Sequence, residues 1–228
     1  AGAGIGRLMA APIPFDREAG AETSARFADL APELRAVLAG AAGCSPYLKT
    51  LIARDPGWLR QALARPPEGV LDGELAALTP APPEATARAL RQAKWRVALL
   101  AGLADLGGVW PLETVTGALT RLADLAVQRA LATHLAEEIR RRKLPGARPG
   151  DEETGAGMVA FAMGKMGAAE LNYSSDIDLI CLFDETRFDP ADRHEARAAF
   201  IRATRKMAPT LSDHTAQGYV FRTDLRLR

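Results

Sequence analysis

Asp176 and Asp178 stand two residues apart at the head of the apolar run "DIDLICLF". On an extended strand residues i and i+2 point to the same side, so both carboxylates project together while Ile177 and Leu179 face elsewhere. One carboxylate at the mouth of a buried strand costs desolvation energy, and a second adds repulsion, so a positive partner is expected. A pair of hard divalent cations, Mg²⁺ or Mn²⁺, meets that need through oxygen ligands. A bare D-x-D is also what a solvated strand entrance looks like, so its surroundings decide its meaning.

Upstream, "MGKMG" follows directly on the apolar run Met158 to Met163. A glycine-rich turn from strand into helix leaves backbone N–H groups free for phosphate oxygens, and Lys165 adds a mobile positive charge between Gly164 and Gly167. The spacing is neither that of a P-loop nor that of a dinucleotide fingerprint. By itself it reads equally well as a tight turn. Downstream, "FRTDLRLR" places Arg222, Asp224, Arg226 and Arg228 on one face of an alternating strand, opposite Thr223, Leu225 and Leu227. An aspartate among arginines can complete a metal site while the guanidinium groups neutralise phosphate oxygens. Alone, this segment would be a salt-bridged sheet face. The three signals agree on one geometry, which is the stronger argument.

The elements that must position these residues follow from periodicity. Up to about residue 143 the pattern is helical. "SPYLKTLIARDPGWLRQALA" opens with Ser45 as N-cap and Pro46 as first helical residue, and Pro56 must end or kink it. A second helix follows the breakers Pro80, Pro82 and Pro83 and runs to Gly107. A third carries Val115, Leu119, Leu122 and Ala126 on one buried face and ends in the basic run Arg140 to Lys143, which complements the helix dipole. Residues 145 to 157 are rich in glycine and proline and read as a boundary. Beyond it the order is strand, short helix, strand, long helix irregular near Pro209, then a strand alternating through "GYVFRTDLRLR". The fold class is therefore α+β, with a helical region over residues 1–145 and a mixed catalytic core over 146–228.

Composition narrows the classes. With 228 residues, 48% hydrophobic, 25% charged and a formal net charge of +1, the chain is globular and lacks the basic excess of a nucleic-acid binder. No apolar stretch is long enough for a bilayer, and no signal peptide opens the sequence, so no membrane association and a cytoplasmic location are expected. Cys44 and Cys181 lie in apolar surroundings without ligand spacing and read as buried thiols. His134, His194 and His214 lack ligand spacing. Trp58, Trp95 and Trp110 read as helix packing; Glu170 could approach the site from the short helix and reads equally well as a solvent-facing helix residue. A start without Met and an end inside a strand-like pattern point to an excised piece.

"GKMGAAELNYSSDIDL" and "FRTDLRLR" closely resemble the nucleotidyltransferase signature of the bifunctional glutamine synthetase adenylyltransferase/adenylyl-removing family. "CSPYLKTLIARDPGWL" and the helices after it are similar to the helical region that precedes the catalytic domain there. The resemblance implies a nucleotidyltransferase core of the DNA polymerase beta type, incomplete at its C-terminal end. It makes Asp176 and Asp178 the metal-bridging pair and Asp224 the third carboxylate, with two Mg²⁺ or Mn²⁺ ions. Gly164, Lys165 and Gly167 become the phosphate-facing turn, with Ser174 and Ser175 beside it and Arg226 and Arg228 toward the nucleotide phosphates.

In that family the N-terminal half removes AMP from glutamine synthetase by phosphorolysis, and the C-terminal half adds it from ATP. "LNYSSDIDL" carries Ser174-Ser175 where the C-terminal version generally has Gly-Ser, so it is more similar to the adenylyl-removing version. The resemblance then implies inorganic phosphate as co-substrate, adenylylated glutamine synthetase as protein substrate, and PII signal protein and glutamine as regulators. Forward adenylyl transfer from ATP is the alternative within the superfamily. A non-catalytic nucleotide-binding module is the alternative outside it, disfavoured by the presence of all three aspartates.

Overall fold

Proline sets the start of helix after helix in the computed structural model, which describes residues 8–216 and 218–227. After α1 (Arg17–Arg26), α2 (Pro32–Cys44), α3 (Pro46–Arg54), α4 (Pro56–Leu63), α5 (Pro67–Ala76) and α6 (Pro83–Leu106) all open on one; α7 spans Leu112–Arg140. Proline has no N–H to lose at that position, and its fixed φ already suits the helix. Ser45 Oγ accepts from the Leu48 N–H at 3.2 Å, and Asp55 Oδ1 from the Trp58 N–H at 2.9 Å. The break expected at Pro56 is thus a full stop at Arg54 and a freshly capped helix.

Contacts divide the chain into two compact units, Ala1–Ala76 with Trp95–Leu119, and Ala77–Lys94 with Thr120–Arg228. The first is all helical, and its core gathers Phe27, Leu38, Ile52, Leu59, Leu99 and Leu103. Trp58 and Trp95 meet edge to face with centroids 5.6 Å apart, and the Arg96 guanidinium lies 5.1 and 5.3 Å from the two ring centroids. Trp58 Nε1 donates to Glu74 at 2.7 Å, and Trp110 Nε1 to Glu68 at 3.0 Å. The three tryptophans pack helices, as expected. Cys44 departs from expectation: it is exposed, its Sγ 3.2 Å from the Ile13 carbonyl, because it falls at the last turn of α2.

The second unit contains the sheet. The glycine- and proline-rich stretch lies inside this unit and turns helix into strand through a 3₁₀ segment, Asp151–Gly157, tied to α7 by the Arg129–Glu153 ion pair. Then come β1 (Met158–Met163), α8 (Gly164–Gly167), β2 (Ile177–Phe183), α9 (Arg193–Ser212) and β3 (Thr223–Leu227), with strand order β1-β2-β3. β1 and β2 are antiparallel, β2 and β3 parallel, so α9 is the crossover. Ile177, Leu179 and Cys181 are buried, and α9 packs on β2 and β3, with Phe200 stacked on Phe183 at 5.1 Å.

Two expectations, on α9 and β3, change in detail. α9 runs through Pro209 to Ser212. β3 begins at Thr223, because the N–H groups of Val220 and Phe221 both bond the Leu211 carbonyl at 2.9 Å and are spent before the strand can use them. His134 is buried, with Nε2 2.8 Å from Thr210 Oγ1, a contact that joins α7 to α9. Among the described residues, no helix is long and apolar enough to cross a membrane.

Candidate active site

Strand register assembles the site. Asp178 of β2 is the partner of Asp224 on β3 and of Met163 on β1, so these three residues form one row across the sheet. Residues paired across neighbouring strands share a face. Asp178 and Asp224 are exposed while Ile177 and Leu179 are buried, so the carboxylates stand on the open side. The expected alternation holds within β2 and β3, whereas Asp176, expected to project beside Asp178 from the same strand, precedes β2.

Two glycines bring the following turn against this row. Gly164 has φ +56°, and a Cβ built on it would stand 3.0 Å from Asp178 Oδ2. Any other residue would be strained and would press on the carboxylate. A Cβ on Gly167 would lie 2.5 Å from the Ala162 carbonyl oxygen, so glycine there lets α8 lie down on β1. Met166 is buried and anchors the turn, and Lys165 is exposed; Glu170 is exposed too, but it lies beyond the end of α8 and not on a helix.

The loop entering β2 is folded by Asn172. Its Oδ1 accepts from Ser175 Oγ at 2.7 Å and from the Ser174 N–H at 3.2 Å, while its own N–H donates to Ser175 Oγ at 3.2 Å. The Leu171 N–H reaches Thr120 Oγ1 of α7 at 3.4 Å and fixes the loop from behind. Asp176 follows, one residue before β2. Arg222 Nε donates to Asp176 Oδ1 at 2.5 Å and its Nη2 to the Ser174 carbonyl at 3.0 Å, while the Arg222 carbonyl accepts from the Ile177 N–H at 2.9 Å. Arg226 lies 4.0 Å from Asp224. Arg228 lies outside the described residues.

The donor set suits a hard divalent cation: two exposed carboxylates on adjacent strands, a third just ahead of β2, oxygen ligands throughout. Among the described residues, however, no group of three or more His, Cys, Asp or Glu side chains is gathered closely enough to hold a metal ion. Asp178 and Asp224 are paired by register, whereas Asp176 is turned to Arg222. Sequence reasoning put Arg222 on the correct face but did not single it out, and it passed over Asn172. The signal for Asn172 was the turn-forming "LNYSS", in which an Asn side chain can bond backbone two residues on.

The family model described as "Glutamate-ammonia ligase adenylyltransferase" matches residues 35–228. The chain belongs to this family. The match covers the whole row of aspartates, the glycine turn and the helices from within α2 onward. Among the relatives, the "Bifunctional glutamine synthetase adenylyltransferase/adenylyl-removing enzyme" of Bradyrhizobium diazoefficiens is 47% identical over 199 residues, covering 85% of this chain and 20% of the relative. The proteins of the same name from Rhodopseudomonas palustris strain HaA2 and Xanthobacter autotrophicus are 43% identical over 206 residues and 42% over 202, covering 88% and 87% of this chain and 21% and 20% of theirs. This adenylyltransferase-family chain therefore spans about a fifth of the length of the curated relatives it matches, in their N-terminal part.

Proposed function

We propose that the second unit carries the adenylyl-removing centre, which takes AMP off a tyrosine of adenylylated glutamine synthetase by phosphorolysis and releases ADP. The observation that carries this reading is the Asp178–Asp224 register pair on an open sheet face, with the Gly164 turn pressed against Asp178. Family membership supplies the adenylyl chemistry, and the Ser174-Ser175 pair and the N-terminal position of the match favour removal over addition.

Asp176, Asp178 and Asp224 would hold Mg²⁺ or Mn²⁺, which would supply positive charge to the attacking phosphate and to the leaving oxygen. Lys165 and Arg226 attract the inorganic phosphate and screen its charge from the aspartates. Gly164 and Gly167 keep the turn low, so an adenylyl group can approach the row without meeting a side chain. A phosphate oxygen then forms its bond to the adenylyl phosphorus as the bond to the tyrosine oxygen breaks; the tyrosine takes up a proton and ADP departs. Ser174 and Ser175, folded by Asn172, shape the rim through which the phosphates enter. Control by a PII signal protein and by glutamine belongs to the same assignment.

The test follows ADP formed from adenylylated glutamine synthetase, Mg²⁺ and inorganic phosphate, beside unmodified glutamine synthetase with ATP. Phosphate-dependent ADP that disappears in Asp178→Asn is the expected result. AMP transfer from ATP instead would reverse the direction assigned.

A further inference from the structure

Arg222 is the one guanidinium in the row that directly bonds a proposed metal-site aspartate among the described residues, and it does so in a bifurcated hold on the loop. Nε takes Asp176 Oδ1 while Nη2 takes the Ser174 carbonyl at 3.0 Å. Both side chains are more than half exposed, 57% for Arg222 and 56% for Asp176, so the pair is weak and readily exchanged. An arginine and a divalent cation within a few ångströms repel one another, so they are alternative partners for the same carboxylate. The Arg222 backbone, meanwhile, is fixed by its carbonyl bond to the Ile177 N–H at 2.9 Å, so only the side chain is free to move.

We propose, resting on the site assignment above, that Arg222 is a partner-exchanging anion-binding residue: it holds Asp176 until that carboxylate takes a cation, then passes its guanidinium to the incoming phosphate. The planar fork suits a phosphate as well as a carboxylate. The exchange makes cation and phosphate help each other into the site. A cation frees Arg222 for phosphate, and phosphate draws Arg222 away from Asp176 and uncovers the ligand. By thermodynamic reciprocity the two effects are equal.

The experiment measures Mn²⁺ affinity of the full chain by electron paramagnetic resonance, with and without inorganic phosphate, correcting for Mn²⁺ complexed in solution. Wild type, Arg222→Gln and Asp178→Asn are compared. Arg222→Gln is expected to bind Mn²⁺ about three- to fivefold more tightly, the size of an exposed ion pair, and to lose most of the phosphate-induced tightening seen in wild type. Unchanged Mn²⁺ affinity in Arg222→Gln overturns the proposal. Tighter Mn²⁺ binding with the phosphate effect intact also overturns it, since Arg222 would then be a fixed charge and not an exchanging partner. If Asp178→Asn binds Mn²⁺ like wild type, the site assignment itself fails, and Arg222 falls with it.

Discussion

Gly164 has to satisfy the backbone and the site at once. Its φ of +56° is a conformation that side-chain-bearing residues reach only at a cost, and its missing Cβ lets Asp178 Oδ2 come within 3.0 Å of where that atom would stand. On the proposed reaction, Gly164→Ala is expected to lower phosphate-dependent ADP formation by at least about tenfold, because a small displacement of the reacting groups is enough, while the melting temperature drops only a few degrees. A steady-state assay beside a thermal melt separates the two. Lys94 is a second residue whose surroundings set its behaviour. It is 8% exposed, lies 4.0 Å from the centre of the Phe221 ring, and burial pulls its pKa from 10.5 to about 8. Below pH 8 folded and unfolded chains both carry the proton, and the folded state bears the full burial cost, on the order of 3 kcal/mol. Between pH 8 and 10.5 the unfolded chain holds more protons, so stability rises with pH. Lys94→Met should therefore raise the unfolding free energy at pH 7, read from urea denaturation, by about 1–2 kcal/mol once the lost ring contact is deducted, and the gain should fade by pH 10.

At the scale of elements, capping decides where helices stop. Asp55 accepts from the Trp58 N–H through Oδ1, and its Oδ2 lies 3.4 Å from Arg96 Nη2, so one side chain starts α4 and ties it to the Arg96 cluster. Asp55→Ala is expected to cost about 1–2 kcal/mol, read from chemical denaturation, whereas Asp55→Asn should keep the cap and lose less. Such local chemistry was open to sequence reasoning: Ser45-Pro46, the glycines at 164 and 167, and the alternation that exposes Asp178 within β2 and Asp224 within β3 all act over short range. What the sequence did not disclose was long-range. Nothing near residue 222 announces that its side chain returns 46 positions along the chain to Asp176. Nothing in "GYVF" announces that the Leu211 carbonyl takes two of its N–H groups. The grouping of 77–94 with the sheet is likewise a product of contacts between segments far apart in sequence.

At the scale of the molecule, the second unit is held together behind the sheet by polar as well as apolar contacts. Glu138 of α7 is 1% exposed, and its Oε2 accepts from Arg202 of α9 at 2.9 and 2.7 Å, while Oε1 is buried without a hydrogen-bond partner among the described residues. Removing the arginine strands a buried charge. Arg202→Met should cost about 3–5 kcal/mol, and the double change Glu138→Met, Arg202→Met should recover most of it, as paired thermal melts would show.

The sulfur at the middle of β2 offers a clock. Cys181 is fully enclosed and burial pushes its thiol up to about 11, whereas Cys44 is exposed. In the native protein an alkylating reagent should mark Cys44 promptly and leave Cys181 untouched until the sheet parts from α9. The second adduct, timed by mass spectrometry, then reports how often the ground beneath the aspartate row gives way, without any engineered label.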